Sequence, residues 1–380
     1  MTPGDDAPAL PLGLAHVASC SFLASRLAPS GQFWIALGGG VALARAGQKH
    51  GLRGGYGASA AAMVQTVALI GPARFNAPLT QALNAPLLGR LQARGASRAV
   101  RLAACLAIRL AHYAVLNVVF VALVVGGLEE YVATYDKIAG FLRILPRGQA
   151  AAIWLTIVGS LFYGLAFSVI QTLICERALK RWPEDGETPS TPEVRVRAPG
   201  SRRVWLAPAL TAIAWIVLLA APRWPVLAGV AAVFAALTLL TRARRAGRTT
   251  WTVGLALAAV LMLGALVPAL IGAVDLDPAA RRAVRAALLV LTATWARAFA
   301  GADGLREAAR RTLWGARRVP AAAEAARITE QLESDTQLVP AANALVERLR
   351  GVPYRPAPVA DALTAWVAAQ ASGYRPPPSG

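Results

Sequence analysis

The sequence predicts an all-α fold, a polytopic transmembrane helical bundle of six to eight spans with a small cytoplasmic helical region at its C-terminus. Long, nearly uncharged apolar stretches recur along the chain. Several approach or exceed the roughly 20 residues that a helix needs to cross about 30 Å of hydrocarbon. The composition agrees, since 56% of the 380 residues are hydrophobic and the mean hydropathy is +0.49. Soluble globular proteins contain about 45–50% apolar residues.

Six stretches are predicted as spans, at 102–126, 150–174, 204–221, 226–240, 253–274 and 286–300. Basic residues at their ends predict the orientation, because cytoplasmic loops of membrane proteins are enriched in Lys and Arg. By this rule 176–203, 242–249 and 301–380 are cytoplasmic, and 128–146 and 274–281 are external. Five arginines on the external side break the rule, and we expect them to snorkel or to pair with acids such as Asp275 and Asp277. They are Arg143, Arg147, Arg281, Arg282 and Arg285.

The chain is strongly basic, with 39 Lys and Arg against 20 Asp and Glu and a formal net charge of +19. In a soluble protein this excess would indicate nucleic acid as the partner. Here the arginines cluster at the ends of apolar stretches, where orientation in the bilayer and contact with anionic lipid headgroups explain them better. We therefore predict no nucleic-acid partner, and a multi-pass protein of the plasma (cytoplasmic) membrane with its C-terminus in the cytoplasm.

The first hundred residues are ambiguous. The stretch 33–46 contains Gly38, Gly39 and Gly40, which predicts a broken or tightly packed helix because glycine weakens a helix interior. A second short stretch covers 56–70, and two spans here would raise the total from six to eight. We expect 10–28 to be interfacial and 75–97 to be a re-entrant or surface-lying segment.

Four regions follow from this pattern. Residues 1–183 form a first membrane half with polar-lined helices, 184–203 form a Pro-rich cytoplasmic linker, and 204–300 form a second, apolar half. Residues 301–380 form a cytoplasmic region of short amphipathic helices and a Pro-rich tail. These helices would fold back on the membrane surface or bind a soluble protein partner.

Polar residues that fall inside the predicted spans are the candidate functional residues, because ionisable groups at membrane depth are costly. One face of the helix that includes 102–126 carries Arg98, Arg101, Cys105, Arg109, His112 and Asn117, with Tyr113 beside His112. One side of the next helix carries Thr156, Ser160, Gly164, Ser168 and Gln171 or Thr172. These faces either hold the two helices together, with His112 bonded to Ser160 or a carbonyl, or line a cavity for an anionic or protonatable ligand. In a third interpretation Arg109 lies near the cytoplasmic interface and snorkels.

A second polar group surrounds the break at Gly71 and Pro72 and contains Gln65, Arg74, Asn76, Gln81 and Asn84. A span that breaks beside such residues can present them to a substrate, although the sequence favours an ordinary helix end followed by a surface helix. The candidate substrate-binding residues are therefore Arg74, Asn76, Arg109, His112, Tyr113, Asn117 and Gln171.

No catalytic, metal or cofactor site is predicted. The three cysteines have no CxxC spacing, the three histidines are scattered, and no recognised catalytic or nucleotide-binding motif occurs. The Asp275-x-Asp277 pair lies in a short predicted external turn. The sequence therefore favours a non-enzymatic subunit of a membrane transport assembly. The alternatives are a membrane enzyme that acts on a lipid-linked or other anionic substrate, and a structural or assembly protein.

Overall fold

The computed structural model describes residues 11–27, 31–71, 76–183, 205–221, 223–241, 248–332 and 338–373. Helices make up 89% of these residues, which contain no strand, so the all-α prediction is confirmed. The α-helices are α1 (Leu12–Leu27), α2 (Gln32–Ile70), α3 (Asn76–Ala93), α4 (Arg98–Phe120), α5 (Leu128–Leu142), α6 (Gln149–Lys180), α7 (Leu206–Ala220), α8 (Trp224–Leu240), α9 (Arg248–Leu270), α10 (Leu276–Gly315), α11 (Pro320–Gln331), α12 (Leu338–Arg350) and α13 (Pro356–Gly373). A π-helical turn, Val121–Val125, extends α4.

Four helices of the described chain are long and apolar enough to cross a membrane, namely α4, α6, α9 and α10. The prediction of six to eight spans is not confirmed. The stretches 204–221 and 226–240 form α7 and α8, which contain 15 and 17 residues. At 1.5 Å per residue they are about 23 and 26 Å long, short of about 30 Å of hydrocarbon. Pro225 lies in the first turn of α8, a position that suits proline.

The chain divides into two compact units that interleave in sequence. Unit 1 contains residues 1–109, 165–200 and 306–380, and unit 2 contains residues 110–164 and 201–305. The unit boundaries fall inside α4, α6 and α10. The division into regions at 183, 203 and 300 stays a prediction.

Unit 1 is built on a close packing of α1, α2 and α3 that depends on glycine. A Cβ at Gly89 of α3 would lie 1.7 Å from the carbonyl oxygen of Ala44, and one at Gly47 would lie 2.2 Å from that of Pro86. Only glycine lets two backbones approach this closely. The helix α2 is also kinked at Gly51, where φ is 68°.

The three glycines at 38–40 meet α1. The hydroxyl of Ser21 donates to the carbonyl of Ile35 at 2.6 Å and accepts from the N–H of Gly39 at 2.7 Å. These two backbone groups are four residues apart, so the hydroxyl inserts into the hydrogen-bond ladder of α2. The ring of Phe22 occupies the space that a Cβ of Gly39 would need. Of the two predicted outcomes for this stretch, the structure has the tightly packed helix.

The C-terminal helices complete the core of unit 1. The apolar side chains that recur at helical spacing in the tail are buried in the same cluster as those of α1 and α2. They include Ile328, Leu345 and Leu363, each fully buried. The predicted amphipathic faces therefore pack inside the chain, and binding of a partner by 301–380 stays a prediction.

Unit 2 has a different surface. It carries most of the large apolar side chains that are exposed in the described chain, on the outer faces of α4 to α9. Phe162, Ile216 and Val260 are examples, with exposed fractions of 69%, 67% and 63%. In unit 1 the exposed ones are Leu52, Val100, Leu165, Trp314, Val319 and Tyr354. An apolar surface of this extent is typical of helices that face lipid.

Several polar groups inside unit 2 are paired. The Trp215 indole donates to the hydroxyl of Thr292 at 3.0 Å, and Arg282 forms an ion pair with Glu130. Arg281 pairs with Asp277 at 2.6 Å, as expected for arginines on the predicted external side.

Candidate functional site

Arg109 and Gln171 are the most buried of the predicted site residues that the structure describes, with 2% and 0% of their surfaces exposed. The guanidinium of Arg109 lies in unit 1, where Nη2 donates to Oε1 of Gln171 at 2.5 Å and Nε donates to the hydroxyl of Ser168 at 3.2 Å. The thiol of Cys105 reaches the same Gln171 oxygen at 3.6 Å. The predicted meeting of polar faces on 102–126 and 150–174 thus occurs at these residues, where Arg109 and Gln171 join α4 to α6.

Several residues of the two polar faces belong to unit 2, namely His112 and Asn117 of α4 and Ser160 of α6. Asn117 donates from Nδ2 to the hydroxyl of Ser160 at 3.2 Å. The ring of His112, which is 8% exposed, lies 6.2 Å from the ring of Tyr113. Ser160 therefore bonds Asn117, and the predicted bond of His112 to Ser160 or a carbonyl stays a prediction. The ligand-binding role of these residues stays a prediction.

The second predicted polar group is only partly described. Arg74 lies outside the described residues, and Asn76 begins α3 with a side chain that is likewise not described. Gln65, Gln81 and Asn84 are buried, and each has an exposed fraction of 1%. Neither polar atom of the Asn84 amide has a hydrogen-bond partner in the described structure. The stretch 75–97, expected to be re-entrant or surface-lying, forms α3, whose residues Ala82, Ala85 and Leu88 lie in the unit 1 core.

A cluster of charged residues in unit 1 was not singled out by the sequence. Its centre is Glu176 near the end of α6, whose side chain is 7% exposed. Arg98 donates two hydrogen bonds to this carboxylate, of 2.9 and 3.0 Å. Arg101 and Lys180 contact it as well, at 3.1 and 2.8 Å. Three cations therefore surround one carboxylate.

A second carboxylate ties the C-terminal helix to the same end of α6. Arg177 donates from Nε and Nη2 to the two oxygens of Asp361 in α13, at 2.8 and 2.7 Å. Arg181 adds contacts of 3.1 Å to both oxygens. The hydrogen bonds from Arg177 are the main cause that lowers the pKa of Asp361 below its usual value, and the charges of Arg177 and Arg181 add to this effect.

Together these residues form a cavity of about 390 Å³. We call it the basic cavity. It is lined by Arg98, Leu173, Glu176, Arg177, Lys180, Arg181, Pro356 and Ala357. Its lining holds four cations against one carboxylate, and α13 begins at its edge with Pro356.

The sequence contained one signal for this site. Arg98 and Arg101 precede one apolar stretch, and Arg177, Lys180 and Arg181 follow the next. These basic residues predict orientation, and Arg98 and Arg101 also begin the predicted polar face of the first helix. Antiparallel helices bring such ends together as well. The contribution of Asp361 had no such signal, because it lies 184 residues from Arg177.

A second cavity of about 460 Å³ lies in unit 2 beside the π-helical turn. Its lining is mostly apolar, with Asn117, Tyr131 and Thr156 as the polar members. The hydroxyls of Tyr131 and Thr156 are 2.5 Å apart and bond each other. The side chains that line it supply no charge to a ligand.

Neither a metal site nor similarity to known proteins assigns a function to the chain. Among the described residues, no group of three or more His, Cys, Asp or Glu side chains could hold a metal ion. No family model, curated protein or solved structure matches the chain. Function must be argued from the units and the basic cavity themselves.

Proposed function

We propose that this chain is a non-enzymatic subunit of a membrane transport assembly. Its long apolar helices would hold it in the plasma membrane with the C-terminus in the cytoplasm. The observation that carries the proposal is that polar side chains on the predicted faces of α4 and α6 are hydrogen-bonded to each other. Arg109 donates to both Ser168 and Gln171 in a buried cluster, and Asn117 donates to Ser160 in a partly buried position. Groups bonded in this way support helix association rather than catalysis, since a reaction needs a nucleophile or proton carrier within reach of a substrate.

A partner would have to use the outward side of the tail, because its apolar faces are buried in unit 1. The helix α12 exposes Asn343, Glu347, Arg348 and Arg350. Deletion of 301–380 would uncover the unit 1 core and cannot serve as a test. The charge reversal Arg348→Glu with Arg350→Glu changes the outer face of α12 and leaves the buried face intact.

The test is purification of the tagged full-length chain from its native membranes in a mild detergent. We expect a stoichiometric partner with transport or ATPase activity of its own, and we expect the double charge reversal to weaken its retention. A second polytopic protein with the same tag is the control. Recovery of the chain alone, by mass measurement of particles extracted directly from the membrane, would contradict the proposal.

The basic cavity favours a second candidate, a membrane enzyme that acts on a lipid-linked or other anionic substrate. Its cations could bind the anionic group, as cation clamps do in phosphoryl transfer. The test is incubation of the purified chain with a lipid-linked phosphate. An unchanged lipid by mass spectrometry, under conditions in which the lipid binds, would exclude this candidate.

A further inference from the structure

We propose that the basic cavity binds a phosphate group, of the kind carried by an anionic phospholipid headgroup or by free phosphate. The inference goes beyond the transport-subunit proposal and does not depend on it. The binding groups are the cations that line the cavity, namely Arg98, Arg177, Lys180 and Arg181.

Charge is the first argument. Five cations, those four and Arg101, share the carboxylates of Glu176 and Asp361, so the cluster keeps three positive charges in excess. Arginine offers five N–H donors, and the hydrogen bonds at the cavity use only some of them. Guanidinium groups bind phosphate through pairs of parallel hydrogen bonds. An anion with several acceptor oxygens would satisfy the remaining donors.

The backbone adds one donor to these cations. The helix α13 begins at Pro356, and Ala357 lines the cavity beside it. Pro356 and Pro358 have no N–H, and the N–H of Val359 donates to the carbonyl of Arg355 at 3.2 Å. Ala357 therefore supplies the one N–H among the first three residues of the helix, and an anion in the cavity could accept from it.

The position of the cavity suits a lipid headgroup. The helix α6 has 32 residues, about 48 Å, so its last turns extend beyond about 30 Å of hydrocarbon. Its charged residues, from Glu176 to Arg181, follow the apolar stretch directly, where headgroups lie. Leu173, Pro356 and Ala357 give the cavity an apolar wall that could contact a glycerol or acyl portion. Basic pockets between membrane helices bind anionic headgroups in this way.

The key variant is Lys180→Gln combined with Arg181→Gln. Both side chains are mostly exposed, at 65% and 58%. Glu176 keeps Arg98 and Arg101, and Asp361 keeps the two hydrogen bonds of Arg177, so neither carboxylate is left unpaired. The matched control is Arg317→Gln with Arg318→Gln, an adjacent exposed pair of unit 1 that does not line the cavity. A third variant, Asp361→Asn, removes a competing carboxylate and should act in the opposite direction.

In the experiment, the full-length chain in nonionic detergent is titrated with short-chain phosphatidylglycerol at low ionic strength. Native mass spectrometry counts the lipid molecules bound to each protein. We expect the K180Q/R181Q variant to weaken binding about tenfold, since it loses two charge-assisted contacts. The control should bind like the parent and D361N should bind more tightly. Phosphatidylcholine, which has no net charge, should not compete.

Inorganic phosphate distinguishes the two sources. Competition by millimolar phosphate would identify the phosphate group alone as the ligand, and lack of competition would identify the lipid headgroup. The proposal is overturned if K180Q/R181Q binds like the parent, if R317Q/R318Q loses as much, or if phosphatidylcholine binds equally well. Circular dichroism checks folding, and the single variant R181Q replaces the double variant if that one does not fold.

Discussion

The side chain of Arg109 illustrates how a costly residue is accommodated in an apolar helix. A buried guanidinium must find acceptors, because an unpaired charge in a low-dielectric interior costs several kcal/mol. Here Gln171 and Ser168 supply them from α6. The sequence predicted the two polar faces because residues on one helix face recur at regular spacing. It did not predict which atoms would pair, such as the amide of Asn117 with the hydroxyl of Ser160.

The Arg109 and Gln171 pair gives a first prediction. Gln171→Leu leaves a buried cation with only Ser168, so we expect a loss of about 3–5 kcal/mol in the free energy of unfolding. Arg109→Leu leaves a neutral buried amide oxygen and should cost less, about 1–3 kcal/mol. The double variant should recover part of the loss. Thermal or denaturant unfolding in detergent measures all three, and strictly additive effects would show that the pair does not couple α4 to α6.

His16 gives a prediction on pH. The residue is 5% exposed in α1, and burial lowers its pKa from 6.5 to about 4. A group whose pKa falls on folding is charged more readily in the unfolded chain, so stability is full above pH 6.5 and declines as the pH falls towards 4. The shift corresponds to at most about 3 kcal/mol.

The measurement is unfolding at pH 7.5 and pH 4.5, for the parent and for His16→Gln. Carboxylates such as Asp361 also gain protons over this range, so the quantity of interest is the difference between the two proteins. The variant should lose less stability on acidification than the parent. Equal losses would mean that His16 titrates normally in the folded chain.

At the scale of elements, the helices followed from composition and periodicity, while their lengths and partners did not. The tail helices were predicted from apolar residues at helical spacing, and α11 to α13 contain them. That spacing identifies a face to be covered but not what covers it. The core of unit 1 joins residues more than 300 positions apart, such as Leu14 and Leu363, and a single sequence carries no signal for such pairs.

The close approach of α2 and α3 gives an element-scale prediction. In Gly89→Ala the new methyl carbon would lie 1.7 Å from a backbone oxygen of Ala44, which cannot rotate away. The helices must separate, and we expect a loss of at least about 1–3 kcal/mol in stability. Gly159→Ala in α6 is the matched control, since nothing lies within 4 Å of its new carbon.

Alanine has the higher helix propensity, so the control should be neutral or more stable by about 0.5–1 kcal/mol. Unfolding midpoints of both variants and the parent provide the comparison. A Gly89→Ala protein as stable as the control would mean that α2 and α3 are not in close contact.

For the whole molecule, the contrast between the units carries the membrane assignment. Unit 1 buries its apolar side chains in one large cluster, whereas unit 2 has only small buried clusters and exposes many apolar side chains. In water, the second arrangement would be unfavourable by about 25 cal/mol for each Å² of apolar surface exposed. Hydropathy alone predicted a membrane protein but left 33–46 and 56–70 as candidate spans, because an apolar residue buried in protein and one facing lipid look the same in sequence.

A lipid-soluble carbene reagent tests this contrast in reconstituted vesicles. We expect labelling of exposed apolar residues in unit 2, such as Ile157 and Val260, and none of the fully buried Leu37 and Leu43 of unit 1. Mass spectrometry of peptides locates the label. Equal labelling of the two sets, in protein that shows a cooperative unfolding transition, would contradict the assignment of unit 2 to the bilayer.

The orientation of the whole chain gives the last prediction. The basic ends of the apolar stretches predict that 128–146 is external and that the tail is cytoplasmic. The native cysteines will not interfere with labelling, because Cys20, Cys105 and Cys175 are all buried, and burial raises the pKa of Cys20 to about 12. Thiol reagents attack the thiolate, so such cysteines are inert. New cysteines can therefore be added to the native chain one at a time.

Ile144→Cys and Arg317→Cys are suitable positions, since Ile144 is 82% exposed and Arg317 is also exposed. A maleimide that cannot cross membranes should label Ile144→Cys in intact cells, but Arg317→Cys only after the cells are made permeable. The parent chain should stay unlabelled in both conditions. The reverse pattern would mean that the chain has the opposite orientation. The basic cavity would then face the headgroups of the other leaflet. Anionic headgroups are concentrated in the cytoplasmic leaflet, so the sidedness of α6 also decides which lipids the cavity can meet.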